Sequence, residues 1–255
     1  MSQGNTQGLI HYVQQRWGGP HALRLASEPG QLTTLPTSFP QLDALLGGGL
    51  PAGRITTIRG GDSSGATSLL HSLAAECQRR EYIPVYLDAD YSFDPSSALR
   101  AGVDLPRLTL VRPQDPLESL AIAATLARSG GFDVILFDRL GAGHDQGLVS
   151  TWLGCMVTLL HKANTAMVVL TGQAREDTYY GGRALAHYSS VILATRRTGW
   201  LRDRAGDIVG IQATVNLVKQ KTGSAQGQVE LQVHWSERKL RAVSTAEMRG
   251  PRDEG

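Results

Sequence analysis

The chain has 255 residues, of which 41% are hydrophobic, and its formal net charge is +2. This length and composition support one large domain with a sizeable core. The small net charge excludes a basic field over the whole surface, so any surface that binds nucleic acid must be local.

Composition also indicates the compartment. No apolar run approaches the roughly 20 residues that a membrane-spanning helix needs. The first residues lack the basic and apolar pattern of a secretory signal. Cys77 and Cys155 lie far apart, without metal-ligand or CxxC spacing, which predicts two buried thiols in a reducing compartment. We therefore expect a cytoplasmic protein with no membrane partner.

The pattern along the chain divides it into three parts. Residues 1–40 hold a polar start, a short predicted helix over 9–17 and an approach segment rich in Pro, Thr, Ser and Gly. Residues 41–240 form the predicted core domain. Residues 241–255 form a polar tail that we expect to be flexible.

Within the core, buried strands alternate with amphipathic helices. The predicted strands are 54–58, 84–88, 133–138 and 166–171, and the predicted helices are 67–76, 117–129 and 148–163. This alternation predicts an α/β fold, a mostly parallel twisted sheet with helices on both faces. Three further runs follow with little helix between them and predict antiparallel strands that extend the sheet. These runs are 191–195, 208–219 and 228–235.

The turn after the first core strand matches a phosphate-binding loop, or P-loop, except at one position. The pattern G-x-x-x-x-G-K-[ST] is met at both glycines and at Thr67, but Ala66 stands where the lysine belongs. The strand before the turn and the helix after it favour a P-loop over an ordinary glycine-rich turn. The predicted nucleotide-binding residues here are Gly60, Gly61, Asp62, Ser63, Ser64, Gly65, Ala66, Thr67 and Ser68.

The missing lysine divides the question of function in two. Backbone N–H groups and the following helix N-terminus still suit phosphates, and the Thr67 hydroxyl still suits Mg²⁺. Loss of the lysine removes a charge-assisted hydrogen bond worth about 1.5–3 kcal/mol, so we expect weakened ATP binding. Hydrolysis suffers more, because the lysine also meets charge that develops in the transition state.

Polar side chains follow the carboxyl ends of other strands, where ligands of such sheets bind. Asp138 ends an apolar strand in the Walker B arrangement that holds Mg²⁺, although an aspartate there also serves as a turn residue. Asp90 follows the strand that ends at Asp88 and could orient or deprotonate an attacking water, with turn chemistry as the alternative. Gln173 follows a third strand, at a place suited to sensing the γ-phosphate.

The loop over 174–182 and the residue after it combine arginine, tyrosine and glycine. This composition suits a loop that stacks bases and pairs phosphates of single-stranded DNA, with an ordinary surface turn as the alternative. The predicted DNA-binding residues are Arg175, Gly181, Gly182 and Arg183. Farther along, Lys219 and Lys221 share one face at strand spacing, where both can meet one anion.

In this order the motifs resemble the core of the RecA-type recombinases. The resemblance covers about residues 9–236 and rests on long runs as well as on the P-loop. The matching segments are 50–55, 60–65, 87–90, 94–95, 126–130, 133–138, 181–185, 188–191 and 218–221. The resemblance implies a RecA-like P-loop fold, ATP and Mg²⁺ as cofactors, single-stranded DNA as a partner and assembly into filaments.

The resemblance also implies roles for single residues. Asp90 falls at the family's catalytic glutamate, one methylene shorter, and Asp94 falls at an aspartate on the adenine side. Gln173 falls on the glutamine that couples nucleotide to DNA. Lys219 and Lys221 match paired lysines that reach into a neighbour's ATP site. The N-terminal part resembles the segment that docks onto the adjacent protomer.

The departures from the family pattern concern catalysis above all. The P-loop lysine is Ala66, the glutamate is Asp90, and both DNA loops are shorter than the family's. These departures favour a paralogue with weakened or lost ATP turnover, similar to the ImuA-type accessory proteins of mutagenic repair. The implied partners are single-stranded DNA, a second copy or a RecA-type recombinase, and a translesion polymerase complex, in the SOS response.

Two other hypotheses stay open. In one, the protein is a DNA-dependent ATPase whose site is completed by Lys219 and Lys221 of a neighbouring protomer, so that activity appears only on assembly. In the other, the protein is a regulator with this fold but no link to DNA, since fold does not fix function. The segment around Gln173 and Gly181 argues against the second.

Overall fold

The computed structural model of the protein describes residues 3–17, 33–175, 178–223 and 226–235. Helix α1 (Gln3–Trp17) belongs to a separate compact unit and is described by itself. It contains the predicted helix over 9–17 and begins before the predicted start. Residues 18–32, which include the first part of the predicted approach segment over 26–40, and the predicted tail over 241–255 lie outside the described residues.

The second unit contains the sheet and its helices. The strands are β1 (Thr34–Leu35), β2 (Leu50–Pro51), β3 (Ile55–Arg59), β4 (Pro84–Asp88), β5 (Thr109–Val111), β6 (Val134–Leu140), β7 (Ala166–Thr171), β8 (Gln173–Arg175), β9 (Thr178–Tyr179), β10 (Val191–Arg202), β11 (Ile208–Gln220) and β12 (Gly227–His234). The helices are α2 (Pro40–Leu46), α3 (Ala66–Arg79), α4 (Pro95–Arg100), α5 (Pro116–Ser129), α6 (Gln146–Ala163) and α7 (Gly182–Tyr188).

An eight-stranded sheet organises this unit, in the order β12-β11-β10-β3-β7-β6-β4-β5. Neighbouring strands from β10 to β5 run parallel, whereas β11 and β12 join antiparallel. The predicted α/β fold, with a mostly parallel sheet and antiparallel C-terminal strands, is therefore confirmed. Two small sheets pair β1 with β2 and β8 with β9.

Both faces of the central sheet are covered by hydrophobic cores. Along β6, Val134 and Leu136 belong to one core, while Ile135 and Phe137 belong to the other. Helices α2, α3 and α4 contribute to the first core, and α5, α6 and α7 contribute to the second. Burial on both faces explains why the parallel strands read as continuous apolar runs.

The carboxyl ends of four parallel strands lie side by side at one edge of the sheet. In the register, Asp88 of β4 lies opposite Asp138 of β6, and Arg59 of β3 lies opposite Thr171 of β7. The P-loop leaves β3 at this edge. The topology therefore gathers at one edge the strand ends that carry most of the predicted site residues.

Two helices begin earlier than predicted because each has an aspartate cap. The Asp115 carboxylate accepts the Glu118 N–H at 2.8 Å and starts α5, and the Asp145 carboxylate accepts the Leu148 N–H at 2.9 Å and starts α6. Sequence periodicity finds the apolar stripe of a helix, whereas the first turn lies before that stripe.

Strand β10 runs to Arg202, well past its predicted end at residue 195. Beyond Thr195 its side chains alternate between half-buried and exposed, so the run loses the apolar character that marked its first part. Cys77 is buried as predicted, but Cys155 is exposed on α6, because it lies off the helix's buried stripe. In the part of the chain that the structure describes, no helix combines the length and apolar character needed to cross a membrane.

Candidate functional site

The P-loop connects β3 to α3 and lines a cavity of about 210 Å³. Its backbone turns tightly, since the Ser64 N–H donates to Gly61 O at 3.1 Å and the Leu69 N–H donates to Gly65 O at 2.9 Å. Gly65 has a φ of +87°, a conformation that disfavours any side chain. All residues from 60 to 68 line the cavity, so the structure brings the predicted loop residues together.

Gly60 stands where the loop leaves no room for a side chain. A Cβ at this position would lie 2.2 Å from Ser64 Oγ and 2.7 Å from Thr195 Oγ1. Thr195, on β10, donates its hydroxyl to Arg59 O and to Ser64 Oγ, each at 3.2 Å. Strand β10 therefore fixes the loop from the side. Sequence reasoning missed Thr195 because its partners are remote along the chain.

Ala66 is the first residue of α3 and is only 6% exposed. The described residues that line the cavity include no lysine, and their only cations are Arg139 and Arg197. No side chain caps α3. The N–H groups of its first turn thus remain available for an anion, and the helix dipole favours one there. The loop keeps a backbone phosphate cradle without the lysine charge.

Asp138 lies within β6 and is fully buried. The Tyr86 hydroxyl, on the neighbouring strand β4, donates to Asp138 Oδ2. Burial raises the pKa of Asp138 to about 6 against the opposing effect of that hydrogen bond, and Asp90 adds to the rise. Asp138 Oδ1 is also buried and has no hydrogen-bond partner in the structure. A buried carboxylate oxygen that accepts no hydrogen bond and has only a 3.6 Å contact with Arg139 Nε fits a magnesium ligand, direct or through water.

A magnesium ion at this edge would need more than protein ligands. The described residues hold no group of three or more His, Cys, Asp or Glu side chains placed to bind an ion. Thr67 lines the cavity and is half-buried. Phosphate oxygens and water would have to complete the shell around Thr67 and Asp138, as Mg²⁺ commonly requires. The residues present fit such a shared ion.

Arg139 is the most prominent residue that sequence reasoning missed. Its Nε lies 3.0 Å from Asp90 Oδ2 and 3.6 Å from Asp138 Oδ1, and its Nη1 lies 3.8 Å from Asp62 Oδ1. One guanidinium thus joins the P-loop, the carboxylate after β4 and the buried carboxylate of β6. The available signal was an arginine directly after the strand-ending aspartate.

The carboxylates of Asp88, at the end of β4, and of Asp94, beyond it, serve the local structure. Asp88 is fully buried, accepts the Ser92 N–H at 2.8 Å and pairs with Arg112 Nε at 2.9 Å. Asp94 caps α4, where it accepts two backbone N–H groups at 3.0 and 2.9 Å. A hydrogen bond from the Ser97 hydroxyl lowers the pKa of Asp94. Asp94 is not among the described residues that line the P-loop cavity.

Aromatic side chains also line the P-loop cavity, and we call this group the aromatic rim. The Arg197 guanidinium lies 4.0 Å from the centroid of the Trp200 ring, and Trp200 meets Trp235 edge to face at 6.4 Å. All three line the P-loop cavity. Sequence reasoning missed Arg197 and Trp200 as site residues because both lie in the unpredicted half of β10. Such a rim offers flat surfaces for a planar ring.

The predicted DNA-binding loop contains a small hairpin, β8 with β9, followed by α7. Gly181 precedes α7, and Gly182 and Arg183 begin it. Arg183 is exposed and lines a second cavity, of about 250 Å³, with Arg59, Tyr179 and Gly182. The side chains of the predicted residues Gln173 and Arg175 lie outside what the structure describes.

The two predicted lysines lie away from the P-loop cavity. The Lys219 ammonium donates to Ala186 O, and the Lys221 ammonium donates to His187 O at 2.7 Å, so both meet carbonyls at the end of α7. Burial lowers the pKa of Lys219, and the neighbouring charge of Lys221 adds to this. Lys219 lies opposite Ile192 of β10. Ile192 lies near the start of the parallel pairing of β10 with β3, whereas the P-loop leaves β3 at its carboxyl end.

Comparison with known proteins agrees with this architecture. A model of the RecA N-terminal domain family matches residues 6–238. Protein RecA of Thermus aquaticus is 32% identical over 256 residues, which cover 90% of this chain and 75% of that protein. Protein RecA of Aquifex aeolicus is 33% identical over 252 residues, covering 88% and 72%. Protein RecA of Rhizobium rhizogenes is 32% identical over 259 residues, covering 91% and 71%. The resemblance predicted from the motifs is confirmed, and the chain belongs to the RecA family.

Proposed function

We propose that the protein is a RecA-like DNA repair and recombination protein that binds single-stranded DNA, a recombinase filament or both, with weakened or lost ATP hydrolysis. The observation that carries this proposal is the buried Ala66 at the start of α3, in a cavity whose described lining has no lysine. A phosphate cradle without its lysine favours binding over turnover.

The nucleotide would be ATP with Mg²⁺. The P-loop backbone and the first turn of α3 support phosphate binding, and Thr67 with Asp138 would hold the ion. When bound, Mg²⁺ neutralises phosphate charge and orients the phosphates. The affinity is expected to be weak, because the lysine's charge-assisted hydrogen bond is missing.

Loss of turnover is also supported by Asp90. A carboxylate that activates water must be free to accept its proton. Asp90 is instead paired with Arg139 at 3.0 Å, and its side chain is shorter than the family's glutamate. Gln173 remains the proposed link between nucleotide and DNA, as the resemblance implies.

Single-stranded DNA would meet the segment that begins at β8. Arg183 is exposed beside Arg59 and Tyr179, which gives two cations and an aromatic ring at one small cavity. Cations pair phosphates and rings stack bases. Arg175, Gly181 and Gly182 complete the proposed DNA surface. The proposed protein partners are a second copy, a RecA-type recombinase and a translesion polymerase complex.

One observation favours a second candidate, a DNA-dependent ATPase active only when assembled. Lys219 and Lys221 lie outside this chain's own P-loop cavity, so any charge that they give to an ATP site must reach a neighbouring protomer. Under this alternative the neighbour supplies what Ala66 lacks.

Phosphate release from Mg-ATP separates the two candidates. Purified protein is assayed with and without single-stranded DNA over a range of protein concentrations. The proposed function expects no release, or a slow release whose rate per protein molecule rises with neither DNA nor protein concentration, together with retained binding of single-stranded DNA or of a RecA filament. Release that rises with both DNA and protein concentration would establish the composite ATPase instead. A protein that neither releases phosphate nor binds single-stranded DNA or a RecA filament would refute both candidates.

A further inference from the structure

Arg139 is one of two cations among the described residues that line the P-loop cavity. It directly follows the buried Asp138 in β6, and it lines the P-loop cavity with a side chain that is 26% exposed. The only other cation among the described lining residues, Arg197, lies over the Trp200 ring at 4.0 Å. Of these two cations, Arg139 is therefore the better candidate to replace the charge of the absent lysine.

The Nε of the guanidinium contacts two carboxylates, whereas its Nη1 makes one long contact that another anion could replace. Its Nε faces Asp138, which is fully buried, and Asp90, which is about one-third exposed. Its Nη1 faces Asp62, whose side chain is fully exposed, at 3.8 Å. An exposed pair at this distance contributes little to stability, so Asp62 can turn into water at small cost. The carboxylate of Asp62 thus stands where an incoming anion would pair.

We propose that Arg139 is a nucleotide-binding residue, whose Nη1 pairs with a phosphate oxygen of a nucleoside triphosphate in place of Asp62. This inference rests on the nucleotide binding in the proposed function. Arg139 then supplies from the end of β6 the positive charge that Ala66 does not supply from the start of α3. A guanidinium matches phosphate geometry well, and the contact of its Nε with Asp90 limits the entropy lost on binding.

Equilibrium binding of a fluorescent ATP analogue with Mg²⁺ tests the assignment without any need for turnover. Arg139→Gln removes the charge, and Arg128→Gln, at an exposed position on α5, is the matched control. We expect Arg139→Gln to weaken binding about ten- to a hundredfold and the control to leave it unchanged. Equal or tighter binding by Arg139→Gln would overturn the inference, since the guanidinium would then be neutral or would block the site.

Adding a lysine to the P-loop tests whether Arg139 affects nucleotide affinity through its charge or only through its contribution to the structure. Ala66→Lys introduced into the Arg139→Gln protein is expected to restore most of the lost affinity, and to give a smaller gain in the wild-type background. Arg139→Lys keeps the charge but loses the Nε contacts, and is expected to bind more tightly than Arg139→Gln and more weakly than the wild type. If Arg139→Lys binds as poorly as Arg139→Gln while both melt like the wild type, charge is not the cause and the inference fails.

The outcomes distinguish this inference from the proposed function. A wild-type protein that binds no analogue but still binds single-stranded DNA or a RecA filament overturns the role of Arg139 and leaves the DNA part of the proposed function standing. A protein that binds the analogue through Arg139 but binds neither DNA nor a filament supports this inference and refutes the proposed function.

Discussion

At the scale of the residue, a buried histidine in α3, the helix that follows the P-loop, makes the stability of the fold depend on pH. His71 of α3 is 2% exposed and packs against the rings of Tyr86 and Phe93, with centroids 5.6 and 5.4 Å away. Its Nε2 is buried without a hydrogen-bond partner. Burial lowers the pKa of His71 to about 4, with Asp94 and Arg100 acting in opposite directions.

Acid should therefore destabilise the protein through His71. The unfolded chain takes up this proton near pH 6.5 and the folded chain only near pH 4. Between these values the unfolded state binds more protons, so stability falls as the pH is lowered, by about 2 kcal/mol at pH 5. In urea unfolding at pH 7 and pH 5, His71→Leu is expected to lose less stability than the wild type.

The titration of Asp138 does not change the difference in stability between the wild type and His71→Leu. Its raised pKa acts in the opposite direction, because the folded state then holds the extra proton below about pH 6. Both proteins contain Asp138, so the difference between them reports on the histidine. A loss at pH 5 that is the same in His71→Leu and in the wild type would show that His71 does not titrate as its burial implies.

Residues of the site could be predicted from the sequence where the pattern is contiguous. The P-loop from Gly60 to Thr67 is one uninterrupted run, and Asp138 ends an apolar strand, so both could be found without a structure. Thr195 and Arg139 could not. Their roles come from partners that the fold brings close, at the side of the loop and across three strand ends.

At the scale of the element, helix α7 connects the proposed DNA surface to the lysine pair. Its first residues are Gly182 and Arg183, and its last carbonyls accept the ammonium groups of Lys219 and Lys221. The two ends of this short helix thus face different predicted partners. A shift of α7 on DNA binding would move both ends together.

Arg183→Ala tests whether the start of α7 meets DNA phosphates. Arg183 is exposed and has Arg59 beside it at the same small cavity. If it neutralises one phosphate of single-stranded DNA, its loss should weaken binding and reduce the slope of log affinity against log salt by about 0.7. Fluorescence anisotropy over a salt series measures this slope. Arg128→Ala, also exposed, is the control, and an unchanged slope in Arg183→Ala would place the contact elsewhere.

Strands buried on two faces were predicted well, whereas the partly exposed outer half of β10 was not predicted. β7 and the first four residues of β6 are mostly apolar because helices cover both faces of these strands, so their runs stand out. The outer half of β10 carries Arg197 and Trp200 on a partly exposed ribbon, where composition gives no strand signal. The aromatic rim of the cavity was missed for the same reason.

At the scale of the whole molecule, the sheet register decides which ATP site the lysines can serve. Lys219 lies opposite Ile192, whose other neighbour is Thr57 within β3, whereas the P-loop leaves β3 after Arg59. Neither lysine lines the P-loop cavity of its own chain. With a net charge of only +2, the protein also has no general basic field to hold an anion there. A contribution to ATP must therefore depend on assembly.

Lys219→Ala distinguishes a protein that only binds from one that turns over in an assembly. The variant leaves Lys221 as the partner of the His187 carbonyl, so α7 keeps a cation at its end and affinity for single-stranded DNA is expected to stay at the wild-type value. Anisotropy measures this affinity, and Lys162→Ala at the exposed end of α6 is the control for loss of one charge. Under the proposed function any phosphate release is slow, independent of DNA and the same in both variants. Release by the wild type and by Lys162→Ala that disappears in Lys219→Ala would contradict this and establish that the neighbour's lysine completes the site.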